Sequence, residues 1–67
     1  MNRGKVKIFD NKRGFGFIEW EGEDLFVHYS DIESDTSFKK LYPGQAVEFE
    51  KIDAPRGAQA VKVRVID

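Results

Sequence analysis

Two absences set the first limits on this chain: it has no cysteine, and no apolar run approaches the length needed to span a membrane. Without cysteine there is no disulfide framework and no thiolate ligand for a metal ion. The chain also begins with Met1–Lys5, a polar segment without the apolar region of a signal peptide. We therefore expect a soluble protein that works in the cytoplasm.

Residues that carry reactive chemistry are equally sparse. The single histidine, His28, has no second His or Cys with which to share a metal ion, and no Ser or Cys nucleophile stands in a recognisable catalytic arrangement. Carboxylates are abundant between residues 19 and 35, but they lack the ordered spacing of a calcium loop. The sequence therefore predicts no enzyme, no metal site and no cofactor.

A third absence, that of any helix-like apolar pattern over three turns, leaves strands to build the fold. Turn residues separate five short β-rich segments, which are Lys5–Phe9, Phe15–Trp20, Leu25–His28, Gln45–Ile52 and Ala58–Ile66. The 67 residues suffice for one domain, residues 1–67, and a flat sheet would leave two exposed edges, so we expect closure. The strand count fits an all-β, five-stranded antiparallel barrel of the oligonucleotide-binding type, and a Src-homology-3-like barrel almost as well.

Two connections between the predicted strands have defined turn chemistry. Pro43 and Gly44 occupy the central positions of a type II turn, which requires a positive φ at Gly44. Ser30 and Glu33 have the spacing of a capping box and predict one helical turn after the third strand.

Charge is distributed unevenly although the formal net charge is only −1. Positions 1–13 contain one acidic residue, Asp10, and five basic residues. The basic residues are Arg3, Lys5, Lys7, Lys12 and Arg13. Positions 19–35 hold acidic residues and neither lysine nor arginine. A local basic patch attracts a phosphate backbone when the acidic segment lies on another side, although its long-range attraction is weaker than that of a basic domain.

Alternation along the second and third predicted strands separates aromatic from aliphatic side chains. Phe15 and Phe17 share a face with Glu19, and Phe26 shares a face with His28. The opposite faces are aliphatic and match aliphatic residues elsewhere in the chain, namely Val6, Ile32, Val47, Val61, Val63 and Val65. A Phe in a strand is more often buried than exposed. Here, however, the aliphatic residues are enough to fill a core, and burial of His28 and Glu19 on the aromatic face would be costly. The sequence also predicts no helix that could cover the aromatic face. We therefore predict an exposed aromatic surface formed by Phe15, Phe17, Phe26 and His28, and a binding site there.

The chemistry of this surface suits single-stranded nucleic acid. Unpaired bases stack on flat rings, each worth about 1–3 kcal/mol, while cations such as Lys7, Lys12 and Arg13 contact phosphates. Gly14 and Gly16 either allow a ligand to approach closely or serve the backbone conformation alone.

Five motifs, taken together, resemble those of the bacterial cold-shock proteins, which consist of one cold-shock domain. The motifs are Gly4-Lys5-Val6-Lys7, Lys12-Arg13-Gly14-Phe15-Gly16-Phe17-Ile18, Leu25-Phe26-Val27-His28-Tyr29, Gly44-Gln45-Ala46-Val47 and Arg56-Gly57-Ala58-Gln59-Ala60. The second and third of them match the two ribonucleoprotein motifs of the family. The resemblance covers nearly the whole chain and implies an oligonucleotide-binding barrel that binds single-stranded RNA and DNA with little sequence preference and acts as an RNA chaperone.

The resemblance also implies a role for individual residues. The stacking residues would be Phe15, Phe17, Phe26, His28, Tyr29 and Phe38. The phosphate contacts would be Lys7, Lys12, Arg13, Lys39 and Arg56. Two alternatives stay open for Phe38, which lies in the long irregular connection of residues 33–44. It either extends the aromatic surface or packs that connection against the barrel.

The chain departs from the family pattern at positions that matter for binding. Ile8 stands where the family usually has an exposed Trp, and it offers apolar contact without a stacking plane. Strict alternation places Ile8 in the core with Val6, so its exposure requires a bulge or a strong twist. Asp10 replaces a usual Asn and adds negative charge beside Lys12 and Arg13 in the basic turn of residues 10–14. Trp20 faces inward by alternation and stands where an aliphatic residue is commoner.

Ile8, Asp10 and the acidic segment motivate a second hypothesis. In it the chain is a protein-interaction barrel that uses the same apolar surface for a partner or for a second copy, with weakened nucleic-acid binding. We expect a monomer under the first hypothesis, and a dimer would favour the second.

Overall fold

The strands close into a barrel in the computed structural model, which describes residues 1–33 and 40–66. The strands are β1 (Asn2–Asp10), β2 (Phe15–Trp20), β3 (Glu23–His28), β4 (Ala46–Ala54) and β5 (Gly57–Val65). Their order around the barrel is β1-β2-β3-β5-β4. The prediction of an all-β, five-stranded closed barrel is confirmed. Four strand pairs are antiparallel, as expected, but the barrel closes through a parallel pair, β3 with β5.

Residues with positive φ make the tight turns between strands. The β1–β2 turn ends at Gly14, with φ 79°, whose N–H donates to the Asp10 carbonyl over 2.7 Å. Glu21 and Gly22, with φ 47° and 77°, form the two-residue β2–β3 turn, where the type I′ geometry needs positive φ at both positions. Gly44 has φ 90°, which confirms the turn predicted there.

The interior of the barrel is largely aliphatic, as the alternation in β2 and β3 predicts, and it also contains the rings of Phe9 and Phe49. Ile18, Leu25 and Val27 are fully buried. The remaining buried apolar side chains, among the residues that the structure describes, are Val6, Phe9, Ile32, Leu41, Val47, Phe49, Ala60 and Val63. Trp20 faces inward and is partly buried, with its ring edge-on to Phe49 at 6.1 Å between centroids. Trp20 therefore covers one end of the core.

A bulge in β5 interrupts the strict alternation that the sequence suggests there. Lys62 has φ 53°, a left-handed conformation, and the register with β4 shifts between Glu48 and Glu50. The buried residues of β5 are therefore Ala60 and Val63, three positions apart. The prediction that Val61 and Val65 belong to the core is wrong. Val61 is only partly buried, because the bulge leaves Ala60 facing inward before it, and Val65 lies at the end of the strand and is 41% exposed.

A single 3₁₀ turn, Tyr29–Asp31, follows β3. Its N-cap is His28, whose ring Nδ1 accepts the N–H of Ser30 over 3.2 Å. The predicted helical turn is thus present, but it begins before Ser30, and the imidazole takes the capping position assigned to the serine hydroxyl. Within residues 1–33 and 40–66, no helix has the length and apolar character needed to cross a lipid bilayer.

Candidate nucleic-acid interface

The aromatic surface forms on the outer side of the β2–β3 pair, as two cross-strand pairs of rings. Phe15 lies opposite His28, and Phe17 lies opposite Phe26. Phe15 and Phe26 are stacked with ring centroids 6.0 Å apart, while Phe17 meets Phe26 edge to face at 6.1 Å. Phe17 is 38% exposed and the other three are half-buried. The structure thus brings together the four side chains that alternation predicts.

A bulge in β1 turns Ile8 toward this surface. The register between β1 and β2 shifts between Val6 and Ile8, so that Val6 is buried whereas Ile8 pairs with Phe17 and is 57% exposed. On the other side, Phe26 pairs with Gln59 of β5. Ile8, Phe17, Phe26 and Gln59 therefore form one row across four strands. The alternative that Ile8 belongs to the core is excluded.

Tyr29 lies beside His28 at the end of β3. The two rings are tilted, with centroids 4.6 Å apart, and Tyr29 is 49% exposed. Nδ1 of His28 accepts the N–H of Ser30 over 3.2 Å and lies 2.9 Å from the Ser30 Oγ, and these two contacts orient the ring. Tyr29 thus adds a fifth ring to the four of the aromatic surface, next to His28.

Gly14 and Gly16 serve the backbone, which decides between the two roles open to them. A Cβ on Gly14 would lie 2.6 Å from Cδ1 of Tyr29, and its φ of 79° disfavours other residues. Gly16 is buried on the inner side, where a Cβ would meet the carbonyl oxygen of Ile8 and the Cα of Phe9. Neither glycine is needed to clear space on the aromatic surface; both allow close packing beneath it.

The predicted phosphate contacts differ in their surroundings. Lys12 and Arg13 are exposed in the β1–β2 turn next to Phe15, and Arg56 is exposed in the β4–β5 turn. Lys7 instead donates to the Asp24 carboxylate over 3.0 Å. This hydrogen bond, together with the charge of Asp24, raises the pKa of Lys7 above its ordinary value of 10.5. The predictions for Phe38 and Lys39 fall outside the described residues.

A cleft adjoins the aromatic surface, and the alternation in β2 and β3 gives no indication of it. This cleft, of about 510 Å³, is lined by Phe17, Phe26, Ala54, Pro55, Arg56, Gly57, Ala58 and Gln59. It depends on the parallel β3–β5 pairing, which carries the β4–β5 hairpin to the edge of the rings. The family motif Arg56–Ala60 is the part of the sequence that points to it. Across the described ranges, no group of three or more His, Cys, Asp or Glu side chains is placed to hold a metal ion.

Asp10 has a structural role in the basic turn. Its Oδ1 accepts the backbone N–H groups of Lys12 at 2.9 Å and Arg13 at 3.1 Å, and its Oδ2 lies 3.8 Å from Nε of Arg13. The bonds from Arg13 and Lys12 lower the pKa of Asp10 below its ordinary value of 3.8. The residue that adds negative charge beside the cations therefore also holds the turn that presents them.

Replacement of Asp10 separates these two effects. Asp10→Asn keeps an oxygen acceptor for both N–H groups and removes the charge, so the neutral-pH stability should fall only slightly and the affinity for an oligothymidine should rise about twofold. A folded-state pKa below 3.8 means that the ionised Asp10 stabilises the fold above pH 3.8 and that this contribution disappears as the pH falls further. The Asp10→Asn chain should therefore lose less stability than the wild type between about pH 5 and pH 3 in thermal unfolding.

Asp10→Ala is the matched control. It removes the same charge but also the acceptor, so its melting temperature at neutral pH should fall further than that of Asp10→Asn. Equal melting temperatures for the two variants would contradict the capping role.

The barrel and its exposed rings define a class of protein, the small five-stranded β-barrels with an aromatic outer surface. Among solved structures, the Drosophila Unr CSD456 structure superposes with a TM-score of 0.78 over 98% of this chain and 26% of that chain, at 20% sequence identity. This similarity supports the fold alone.

Sequence comparison is more specific. The model of the 'Cold-shock' DNA-binding domain matches residues 2–66. The cold shock-like protein CspD of Bacillus cereus is 56% identical over 64 residues, which are 94% of this chain and 96% of that protein. The cold shock protein CspA of Staphylococcus aureus (strain USA300) is 55% identical over the same shares. The chain belongs to the cold-shock domain family, as its motifs predict.

Proposed function

We propose that this chain binds single-stranded RNA and DNA with little sequence preference, by stacking unpaired bases on the aromatic surface. The observation that carries the proposal is the pairing of Phe15 with His28 and of Phe17 with Phe26 on the outer side of the barrel. Every base has a flat face, so stacking tolerates any sequence, at about 1–3 kcal/mol per base. Membership in a family described as a DNA-binding domain supports the same function.

Cations surround the rings at the positions where a backbone would pass. Lys12 and Arg13 lie at the β1–β2 end, and Arg56 lies at the cleft beside Phe17 and Phe26. These three residues contact phosphates without reading bases. Capture of unpaired segments then shifts weak RNA hairpins toward their open state without ATP, because only the open state is bound. This is the activity of an RNA chaperone, and the cytoplasm is the proposed place of action.

Fluorescence anisotropy of a labelled oligothymidine tests the proposal. Binding should weaken with salt, with a slope of log K against log salt of about −2, since each of the three neutralised phosphates contributes about 0.7 on a single strand. A labelled polyadenosine of the same length should bind within about tenfold of the oligothymidine. Absence of binding to both at millimolar protein, or binding that salt does not affect, would overturn the proposal. A dimer in size-exclusion chromatography together with absent binding would instead favour the protein-interaction barrel.

Ile8→Trp supplies the stacking plane that this chain lacks. Because Ile8 is 57% exposed and lies opposite Phe17, an indole there extends the row of rings by one. The affinity for an oligothymidine should rise about tenfold, the lower part of the range for one stacked base. Anisotropy titration measures this change, and quenching of the introduced indole reports the contact directly.

Ile8→Leu serves as the control, since it keeps the apolar bulk and adds no plane. Its affinity should stay within about twofold of the wild type. An Ile8→Trp chain that folds normally and binds no more tightly would show that position 8 lies outside the path of the strand.

A further inference from the structure

The Lys7–Asp24 ion pair lies across the outer side of β2. Lys7 is the extra residue of the β1 bulge, and Asp24 belongs to β3, with β2 between them in the barrel. Their charged groups are nevertheless 3.0 Å apart. Since neighbouring strands lie about 4.8 Å apart, the two side chains must reach over β2 to meet. Asp24 and Phe26 are two residues apart and share a face, so the pair runs alongside the row that contains Phe17 and Phe26.

Acidic residues continue the surface beyond this pair. Glu19 lies opposite Asp24, and Glu23 lies opposite Trp20 at the β2–β3 turn that contains Glu21. All four carboxylates are exposed. Asp24 pairs with Lys7, and Glu23 pairs with Lys51 at 3.3 Å. A phosphate backbone is attracted to the opposite end of β2, where Lys12 and Arg13 lie, and is repelled at this one.

The pair is weak enough to be exchanged. The side chains of Lys7 and Asp24 are 52% and 47% exposed, and solvent and salt screen pairs of this kind. A phosphate oxygen is an alternative acceptor for the ammonium group and makes a charge-assisted hydrogen bond of the same type. A strand that reaches Lys7 therefore competes with Asp24 for one cation.

We propose that Asp24 acts as an intramolecular competitor of phosphate at Lys7 and that the Lys7–Asp24 pair bounds the binding surface on its acidic side. The inference rests on the proposed function. Short strands occupy the rings while the pair stays closed. Longer strands that reach it must replace the Asp24 carboxylate by a phosphate, and the released carboxylate then opposes the bound backbone. Asp24 thus limits both the affinity and the length of strand that binds productively.

Anisotropy titrations of labelled oligothymidines, of about three to eight nucleotides, test this proposal on the Asp24→Asn chain. For the longer strands its affinity should exceed that of the wild type about fivefold at 0.1 M salt, and its salt slope should be steeper by about 0.7, the value for one further phosphate contact. For the shortest strands the two chains should agree within about twofold. Lys7→Gln should weaken the Asp24→Asn chain about fivefold and the wild type by less than about twofold, a coupling that a double-mutant cycle reveals.

Glu23→Gln is the matched control, since it removes the same charge from the same end of the barrel but leaves Lys7 paired. It should change affinity by less than about twofold and leave the salt slope unchanged. The competitor role is wrong if the wild type binds but Asp24→Asn binds no more tightly. It is also wrong if Glu23→Gln raises the affinity as much as Asp24→Asn does. In both cases the proposed function stands. If the wild type binds none of the oligothymidines, the proposed function itself fails.

Discussion

Phe17→Ala is expected to weaken binding of an oligothymidine about ten- to hundredfold. Phe17 is the central ring of the row, opposite both Ile8 and Phe26, and it also lines the cleft beside Arg56. Its loss removes one stacking plane, worth about 1–3 kcal/mol, and no ring on β1 replaces it. Because Phe17 lies outside the core but packs edge to face on Phe26, the melting temperature should fall by only a few degrees. Calorimetric or anisotropy titration measures the loss.

Two further variants show whether the flat ring is responsible. Phe17→Leu keeps an apolar side chain and should lose nearly as much affinity as Phe17→Ala, because it offers no plane. Tyr42→Ala removes an exposed ring from the turn before β4, outside the rows of the aromatic surface, and should bind as the wild type does. Full affinity in Phe17→Leu would mean that apolar contact, rather than stacking, holds the strand.

Gly16→Ala is expected to destabilise the fold by about 2–3 kcal/mol, a large part of the roughly 3–5 kcal/mol that so small a core supplies. The added Cβ would meet the carbonyl oxygen of Ile8 and lie 2.6 Å from the Cα of Phe9, both on β1. These are backbone atoms of the paired strand, so the β1–β2 pair itself must shift. Urea unfolding followed by the fluorescence of Trp20 measures this loss, since Trp20 packs against Phe49 in the core.

Gly22→Ala distinguishes crowding from backbone conformation. Gly22 has φ 77° and no atom within 4 Å of an added Cβ, so this change costs only the strain of a left-handed residue, about 1 kcal/mol. A Gly16→Ala chain that is no less stable than Gly22→Ala would contradict the close approach of β1 and β2.

Alternation predicts the structure well wherever the strands are regular. In β2 and β3 every residue pairs directly with its partner, and Phe15, Phe17, Phe26 and His28 lie outside while Ile18 and its neighbours fill the core. Side chains alternate regularly between the two faces of β2 and β3 because no residue is inserted into either strand. The core of the fold and the centre of the site therefore follow from the sequence.

The bulges are the features that alternation misses. Lys62 in β5 and the bulge around Lys7 in β1 each add one residue, which moves the following side chains to the other face. Only the family pattern indicates the bulge at β1, because it requires position 8 to be exposed. The ion pair of Lys7 with Asp24 could not be predicted either, since β1 and β3 come near each other only because both pair with β2. Long-range pairings of this kind leave no local periodic signal.

Nuclear magnetic resonance titration of the ¹⁵N-labelled chain with an oligothymidine tests the central claim most directly. The largest amide shifts should fall on Phe15, Phe17, Phe26 and His28 and at the turn of Lys12 and Arg13. Shifts at the acidic β2–β3 turn should be small, because phosphate is repelled there. Unchanged amides at the four aromatic positions with millimolar ligand, or shifts concentrated at the acidic turn, would contradict base stacking on this surface.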